Sequence, residues 1–243
     1  MDKQEVEFKY IELVGQPCSG KTTVSEKLRE SNVQYPIKFP TLEKRNKLKF
    51  LLALPKLLSN KITDIFFITK LFILNTKITK DNFWNYRFFI RATLRYEYDK
   101  TYNQAICLPE GTLHYFTLID FRESVDVQKI YDSYIKRYKN SYDAIVYFNV
   151  NKEVVKARAE ERIKNRNYSL KKEKLFREKF NRGLEQKKYM EKVLSSTKEI
   201  PVIEIDAAQP VQEKVEVIKE VIKSVVEIDD KKELCKILKN KST

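Results

Sequence analysis

The sequence predicts an α/β protein with a parallel sheet covered by helices, and three observations support this. Short apolar segments alternate with helical segments along most of the 243 residues. Each apolar segment is nearly continuous, as in strands that are buried on both faces. A turn with the pattern G-x-x-x-x-G-K-[ST] follows the first apolar segment and precedes a helix. We therefore expect alternating strands and helices in one domain.

The strands and helices can be placed along the chain from these patterns. The predicted strands are residues 10–14, 37–39, 105–108, 144–148 and 202–205. Apolar spacings of three and four predict helices at 21–30, 47–59, 62–75, 82–98, 125–138, 153–165, 171–194 and 211–226, with Pro55 bending or dividing the second of them. Three of these helices fall between the second and third strands. We expect one domain over 1–227, a helical insert at about 42–100 and a charged tail over 228–243.

Composition excludes several classes of protein. Hydrophobic residues make up 42% of the chain, so it can fold around a core. No uncharged run exceeds nine residues, which argues against a membrane-spanning helix. The charged N-terminus does not resemble a secretory signal. Cys18, Cys107, Cys235 and the single His114 are too few and too scattered for a disulfide framework or a zinc site, so we expect a reducing cytoplasm.

The net charge of +14 has two interpretations. It indicates either an anionic partner, such as a phosphorylated substrate, nucleic acid or acidic membrane, or a composition rich in solvated lysines. The lysines are dispersed from Lys3 to Lys241 without a dense block, which favours the second interpretation as the main cause.

The turn at residues 15–22 is a candidate phosphate loop. The chain has only four glycines, and two of them, Gly15 and Gly20, lie in this motif, where close approach of the backbone to phosphates requires them. Lys21 can reach the β- and γ-phosphates, and the Thr22 hydroxyl can ligate Mg²⁺. The following helix adds the partial positive charge of its N-terminus. The predicted ATP site comprises Gly15, Gln16, Pro17, Cys18, Ser19, Gly20, Lys21, Thr22 and Thr23.

An acidic residue follows the third predicted strand. Residues 106–111 place Glu110 at the carboxyl edge of the sheet, where ligands bind in open α/β folds. Glu110 could bind Mg²⁺ through water, or accept the proton of an attacking hydroxyl. The competing interpretation is an acid in an ordinary turn. We assign no catalytic role to His114.

A first set of arginines lies on the helix after the fourth strand. Arg158, Arg162 and Arg166 recur every four residues and therefore share a face. Arginines on a mobile segment can neutralise the charge that develops in phosphoryl transfer. We expect Arg162 and Arg166 to be catalytic. The alternative is pairing within the helix with acids at positions 153, 160 and 161.

A second set of arginines lies in the helical insert. Arg87, Arg91 and Arg95 also recur every four residues, and apolar side chains alternate with them. Such a row at the mouth of a pocket would suit an acceptor that bears phosphate or carboxylate. Plain surface charge is an equal competitor.

Residues 10–30, 105–115, 144–166 and 201–226 together resemble the P-loop small-molecule kinases of the thymidylate and deoxynucleoside kinase-like group, in the P-loop NTPase superfamily. The resemblance implies a three-layer fold with a five-stranded parallel sheet in the order 2-3-1-4-5. It also implies that Arg158 lies in a lid at about 158–195, that residues 206–210 lie beside the adenine, and that the cofactors are ATP and Mg²⁺.

Two departures from that group concern the acceptor. Its members usually carry an acid followed by arginine after the third strand, whereas Glu110 is followed by Gly111. Deoxynucleoside kinases also place an acid at the end of the second strand, and residues 38–41 contain none. Both differences argue against a nucleoside or thymidylate acceptor.

The leading functional hypothesis is an ATP- and Mg²⁺-dependent kinase acting on a small polar or anionic molecule. The alternative is a regulatory or nucleic-acid-associated P-loop NTPase, which is less favoured because no helicase-type motif is present. Residues 47–80 mix large apolar residues with lysines, so peripheral membrane contact is a further alternative to packing over the active site. The sequence leaves the oligomeric state open, a homodimer included.

Overall fold

Five parallel strands form one sheet in the order β2-β3-β1-β4-β5. The structure is a computed structural model that describes residues 8–31, 37–38, 47–100, 105–109, 111–197, 199–228 and 230–240. The α/β class is confirmed, and the strand order is the one that the resemblance implies. The strands are β1 (Lys9–Gly15), β2 (Ile37–Lys38), β3 (Ala105–Leu108), β4 (Ala144–Asn149) and β5 (Val202–Asp206).

Helices cover both faces of the sheet. Within the described residues they are α1 (Lys21–Glu30), α2 (Lys47–Asn75), α3 (Lys80–Asp99), α4 (Thr112–Phe116), α5 (Val127–Tyr138), α6 (Lys152–Asn165), α7 (Leu170–Ser196), α8 (Val211–Glu227) and α9 (Lys231–Asn240). The short helix α4, directly after β3, is not among the helices expected from the sequence.

The core consists of two apolar clusters, one on each face of the sheet. Side chains of a strand alternate between the two faces. On β1, Tyr10 and Val14 therefore belong to one cluster, and Ile11 and Leu13 belong to the other. This double burial explains why the strand is nearly continuously apolar.

The insert is built from α2 and α3, which pack against each other. The Thr69 and Tyr86 hydroxyls are 2.7 Å apart across the two helices. The expected division into helices 47–59 and 62–75 is wrong, because α2 runs without a break from Lys47 to Asn75 and contains Pro55. The buried side chains of Leu57 and Ile68, which follow the proline, anchor the helix, and this packing offsets the lost N–H bond. No helix in the described ranges is long and apolar enough to cross a membrane.

The interpretation of residues 228–243 as a charged tail is wrong over α9. Leu234, Cys235 and Leu238 are buried, and Leu238 lies about one helical turn after the other two. Leu234 and Leu238 join the same core cluster as Ile203 and Ile205 of β5. The apolar triad is short and the segment is rich in lysine, so the amphipathic pattern is hard to recognise in the sequence.

A buried asparagine fixes the start of α3 against the segment that follows α4. The Asn82 amide nitrogen donates to the carbonyls of Lys77 at 2.7 Å and Asp120 at 2.8 Å. Its amide oxygen accepts the backbone N–H of Asp120 at 2.8 Å. The Asn82 side chain is fully buried. The insert is therefore joined to the sheet edge by hydrogen bonds as well as by apolar packing.

We predict that Asn82→Ala lowers the free energy of unfolding by about 2–4 kcal/mol, since it removes three hydrogen bonds and leaves the Asp120 N–H without the amide oxygen that accepts it. Urea denaturation would measure the loss. The matched control is Asn60→Ala, at an exposed position of α2, where we expect a change within about 0.5 kcal/mol. Equal effects of the two variants would contradict the prediction.

Candidate functional site

The loop between β1 and α1 has the backbone conformation that its motif requires. Cys18 has φ 65° and Gly20 has φ 93°, so both lie in the left-handed region. Left-handed residues in such a turn bring successive N–H groups to one side and create a concavity for an anion. A non-glycine residue in this region is strained by roughly 1–2 kcal/mol. The strain at Cys18 therefore falls at the predicted phosphate site.

Gly15 lets the loop start close to the neighbouring strand. A Cβ at this position would lie 2.9 Å from both the Cβ and the carbonyl oxygen of Phe148 on β4. The glycine is therefore required by packing as well as by its φ of 153°. At Gly20, by contrast, a Cβ would meet no atom within 4 Å, so its positive φ alone favours glycine.

Lys21 folds back over the loop. Its Nζ donates to the carbonyls of Gly15 at 2.6 Å and Gln16 at 2.9 Å, and lies 3.3 Å from the Ser19 Oγ. The side chain is almost completely buried, yet it lines the cleft above the loop. Thr22 and Thr23 follow it on the exposed side of α1. The structure thus brings together all the predicted phosphate-loop residues.

A cleft of about 550 Å³ opens from the loop. Among the described residues that line it there are four cationic side chains and no carboxylate. A pocket of this charge attracts a polyanion. Two phenylalanines give it an apolar wall as well. Beyond loop residues 17–23, the lining consists of His114, Leu118, Arg158, Arg162, Phe176, Phe180, Val211 and Lys214.

The structure separates the three arginines of α6. Arg158 and Arg162 line the cleft. The Arg158 guanidinium donates to the carbonyl of Ala207 at 3.1 Å, and that of Arg162 lies 5.6 Å from the centre of the Phe176 ring. Arg166 is exposed at the C-terminal cap of the helix and is not part of this lining. The structure therefore does not bring Arg166 to the cleft.

Two of the acids expected to compete for these arginines have other partners. Glu160 pairs with Arg177 of α7, which also bonds Glu173 at 2.9 Å. Glu153 lies 3.5 Å from Lys156 within α6. The Glu160–Arg177 pair connects α6 to α7, and both acids leave the arginines that line the cleft to other groups.

Gly183 allows α7 to pack closely against the phosphate loop. A Cβ on Gly183 would lie 2.9 Å from the Cδ of Pro17. Helix α7 is therefore in contact with the phosphate loop at Pro17.

The arginines of the insert do not reach this cleft. Arg87 and Arg91 are exposed, and the Arg87 guanidinium lies 5.1 Å from the centre of the Trp84 ring. Arg95 forms an ion pair with the buried carboxylate of Asp99 at 3.5 Å. None of the three lines the cleft in the described part of the chain.

Two cleft residues were not expected from the sequence. The Lys214 Nζ donates to the same Ala207 carbonyl as Arg158, at 3.0 Å, and burial together with the Arg158 charge lowers its pKa. Burial and the nearby Lys21 charge lower the pKa of His114 to about 3, so this imidazole is neutral near pH 7. Lysine is so frequent in this chain that nothing in the pattern distinguishes Lys214.

The predicted acid Glu110 lies outside the described residues, but a second acid, Glu12 of β1, binds the residues that follow it. Glu12 of β1 is fully buried, and its carboxylate accepts the backbone N–H groups of His114 at 2.8 Å and Leu113 at 3.3 Å. A Cβ on Gly111 would lie 2.4 Å from the Glu12 carboxyl carbon. Glu12 therefore explains why glycine follows Glu110. Its one visible signal is a charged residue inside an apolar strand.

Burial raises the pKa of Glu12 to about 7, and the hydrogen bonds from the turn and from Tyr10 offset only part of that effect. The Tyr10 hydroxyl lies 3.4 Å from this carboxylate. Glu12 thus changes its charge close to neutral pH.

The loop has the sequence of a phosphate-binding P-loop and the left-handed residues that such a loop needs, and it follows the central strand of a parallel sheet. No protein-family model matches the chain, and no curated protein matches it.

Similar solved structures are those of kinases. One is the deoxyadenosine kinase from M. mycoides with bound dATP, at 19% identity, covering 88% of this chain and 99% of that chain, with a TM-score of 0.46. The same kinase with dCMP and dCDP bound is 21% identical, covering 89% of this chain and 99% of that chain, with a TM-score of 0.45. A gluconokinase from Sinorhizobium meliloti 1021 is 15% identical, covering 96% of this chain and 94% of that chain, with a TM-score of 0.39. All three TM-scores lie below 0.5, so the identification of a phosphate loop rests on the sheet and on the loop itself.

The Glu12 carboxyl should make the stability of the protein depend on pH. Because the folded-state pKa of about 7 exceeds the usual value of 4.5, the folded chain binds more protons between these pH values. Stability should therefore fall as pH rises from 4.5 to 7, by up to about 3 kcal/mol from this group.

Comparison with Glu12→Gln isolates this contribution, because the other titrating groups are shared. Urea denaturation at a series of pH values should show the wild-type protein losing stability relative to the variant as pH rises through this range. A difference that does not change with pH would contradict the prediction.

Proposed function

We propose that this protein is an ATP- and Mg²⁺-dependent phosphotransferase, a kinase that acts on a small molecule. The observation that carries the proposal is the phosphate loop, with Lys21 at its centre, opening into a cleft that Arg158 and Arg162 line. In enzymes of phosphoryl transfer, such a loop positions the phosphates and arginines neutralise the charge that develops on the transferred group.

The cleft suits a nucleoside triphosphate along its length. Its volume of about 550 Å³ lies within the usual range for small-molecule sites. The phosphates would lie in the loop, where Lys21 can exchange its carbonyl partners for phosphate oxygens. The nucleoside would extend toward Val211, Lys214 and the loop after β5, whose Ala207 carbonyl is bonded by two cations.

The donor groups at the start of α1 fit Mg²⁺, which prefers oxygen ligands. The Thr22 hydroxyl is exposed beside Lys21 and could complete a site formed mainly by phosphates and water. When bound, the ion would supply neutralisation of the phosphate charge. We propose Glu110, at the end of β3, as the second ligand through water or as the base for the acceptor hydroxyl.

The acceptor would bind between the sheet edge and the insert. The rings of Phe88 and Tyr115 are stacked, with 5.6 Å between their centres. The centres of the Tyr115 and His114 rings are 5.3 Å apart, and His114 lines the cleft. This chain of rings connects the exposed face of α3 to the phosphate loop. Arg87 and Arg91 lie on the same helix, which favours a polar or anionic acceptor, whereas Arg95 is paired with Asp99.

Calorimetry with ATP and Mg²⁺ tests the first part of the proposal. We predict that Lys21→Met abolishes binding or weakens it by at least about tenfold, because a charge-assisted contact to phosphate is lost. The matched control is Lys27→Met, an exposed lysine on the same helix that pairs with Glu30. Absence of heat with the wild-type protein would overturn the proposed function.

An assay of ADP release tests the second part. The panel would contain nucleosides, nucleotides, sugars and phosphorylated sugar alcohols. Stimulation by one of them supports a kinase, whereas stimulation only by RNA or DNA would favour the alternative of a nucleic-acid-associated NTPase.

The two arginines of α6 provide an internal comparison. We predict that Arg162→Ala lowers kcat by about 10³-fold or more if it neutralises the transferring phosphoryl group. Arg166→Ala should cost far less, since its side chain is exposed outside the cleft lining. Equal losses measured as kcat for the two variants would show that the lid adopts another arrangement during catalysis.

A further inference from the structure

We infer that Glu12 is a positioning residue of the phosphoryl-transfer site, whose buried carboxylate holds the turn after β3 in register with the phosphate loop. This inference rests on the proposed function. Glu12 does not itself line the cleft, and of the described lining it binds only the backbone N–H of His114, so it would act through the turn it binds.

The contacts of Glu12 span two parts of the site. It lies on the central strand, three residues before Gly15 begins the phosphate loop. Its carboxylate accepts two consecutive N–H groups, of Leu113 and His114, and it packs where Gly111 has no Cβ. The strand that delivers the loop and the turn that follows Glu110 therefore share one hydrogen-bonded connection.

The environment of Glu12 indicates that its hydrogen bonds to the turn do more than fill space in the core. A hydrophobic side chain of similar volume would avoid the desolvation of a buried carboxylate. Nearby hydroxyls already form a network of their own, with Tyr142 at 2.8 Å from Thr112 and 2.9 Å from Tyr134. A carboxylate at position 12 fixes how the turn is oriented on β1, because among the described residues the N–H groups that it binds all belong to that turn.

The turn carries functional side chains at both ends. His114 lines the cleft near Lys21, and the proposed catalytic acid Glu110 immediately precedes Gly111. A small displacement of reacting groups can cost a large factor in rate. Loosening the turn should therefore lower turnover while leaving the phosphate loop able to bind ATP.

The charged form of Glu12 is the one that holds the turn, since protonation converts one acceptor oxygen into a donor. The titratable groups around it are Tyr10 of β1, Tyr134 of α5, Tyr142 before β4 and His114 of α4. Burial raises the pKa of each of the three tyrosines, and that of His114 is lowered, so all four are neutral near pH 7.

Glu12→Gln tests the inference. The amide has the same shape but no charge, and its NH₂ group would face one of the two N–H donors that the carboxylate accepts. We expect kcat to fall about ten- to hundredfold at pH 8 while the ATP affinity measured by calorimetry stays unchanged. The wild-type kcat should decline below about pH 7, and the variant should lack that limb of the profile. An unchanged kcat, or a fall in kcat matched by lost ATP binding, would overturn the inference.

Two controls separate positioning from general destabilisation and from failure of the proposed function. Val221→Ala removes buried volume from α8, away from the turn, and should lower stability without lowering kcat. Hydrogen exchange at the Leu113 and His114 amides needs no activity, and Glu12→Gln should reduce their protection about tenfold or more. Unchanged protection would overturn the inference, whereas lost protection in a chain without ATP turnover would overturn only its catalytic part.

Discussion

The position of β1 in the middle of the sheet is the constraint on which the site depends. This strand has a neighbour on each side and apolar clusters on both faces, so its end is fixed in space. The phosphate loop begins at that end, and the close packing of Gly15 on Phe148 leaves the loop little freedom. Lys21 then bonds the carbonyls of Gly15 and Gln16, which ties the start of α1 back to the start of the loop. A rigid strand thus supports a preorganised loop.

The charges of the cleft give it an intrinsic preference for anions. Arg158 and Lys214 share one carbonyl, and their mutual repulsion contributes to the lowered pKa of Lys214. An anionic ligand would relieve this repulsion, so binding is favoured by the arrangement of the free protein as well as by new contacts. Helix α7 contributes through the pair of Arg177 with Glu160, which leaves Arg158 and Arg162 available to the cleft.

Sequence patterns predict the strands and the loop well, because a doubly buried strand and a turn that needs left-handed residues both restrict the choice of amino acid. They predict α2 and α9 poorly. At Pro55, the packing of later residues of α2, such as Leu57 and Ile68, overrides a local preference, and in α9 only three apolar residues meet the core. Arg162 and Arg166 share a helical face in the sequence, but only the arrangement of α6 against α7 decides which one reaches the cleft.

Glu12 shows how a buried residue can change what a neighbouring motif means. The acid–glycine pair at Glu110 and Gly111 departs from the acid–arginine pair of the kinases that the sequence resembles. The departure has a local cause, because the Glu12 carboxylate occupies the space that any Cβ at position 111 would need. An arginine at that position is excluded for as long as Glu12 is present. In the proposed kinase the acceptor would therefore be recognised by other groups, and the exposed Arg87 and Arg91 of α3 are candidates among the described residues.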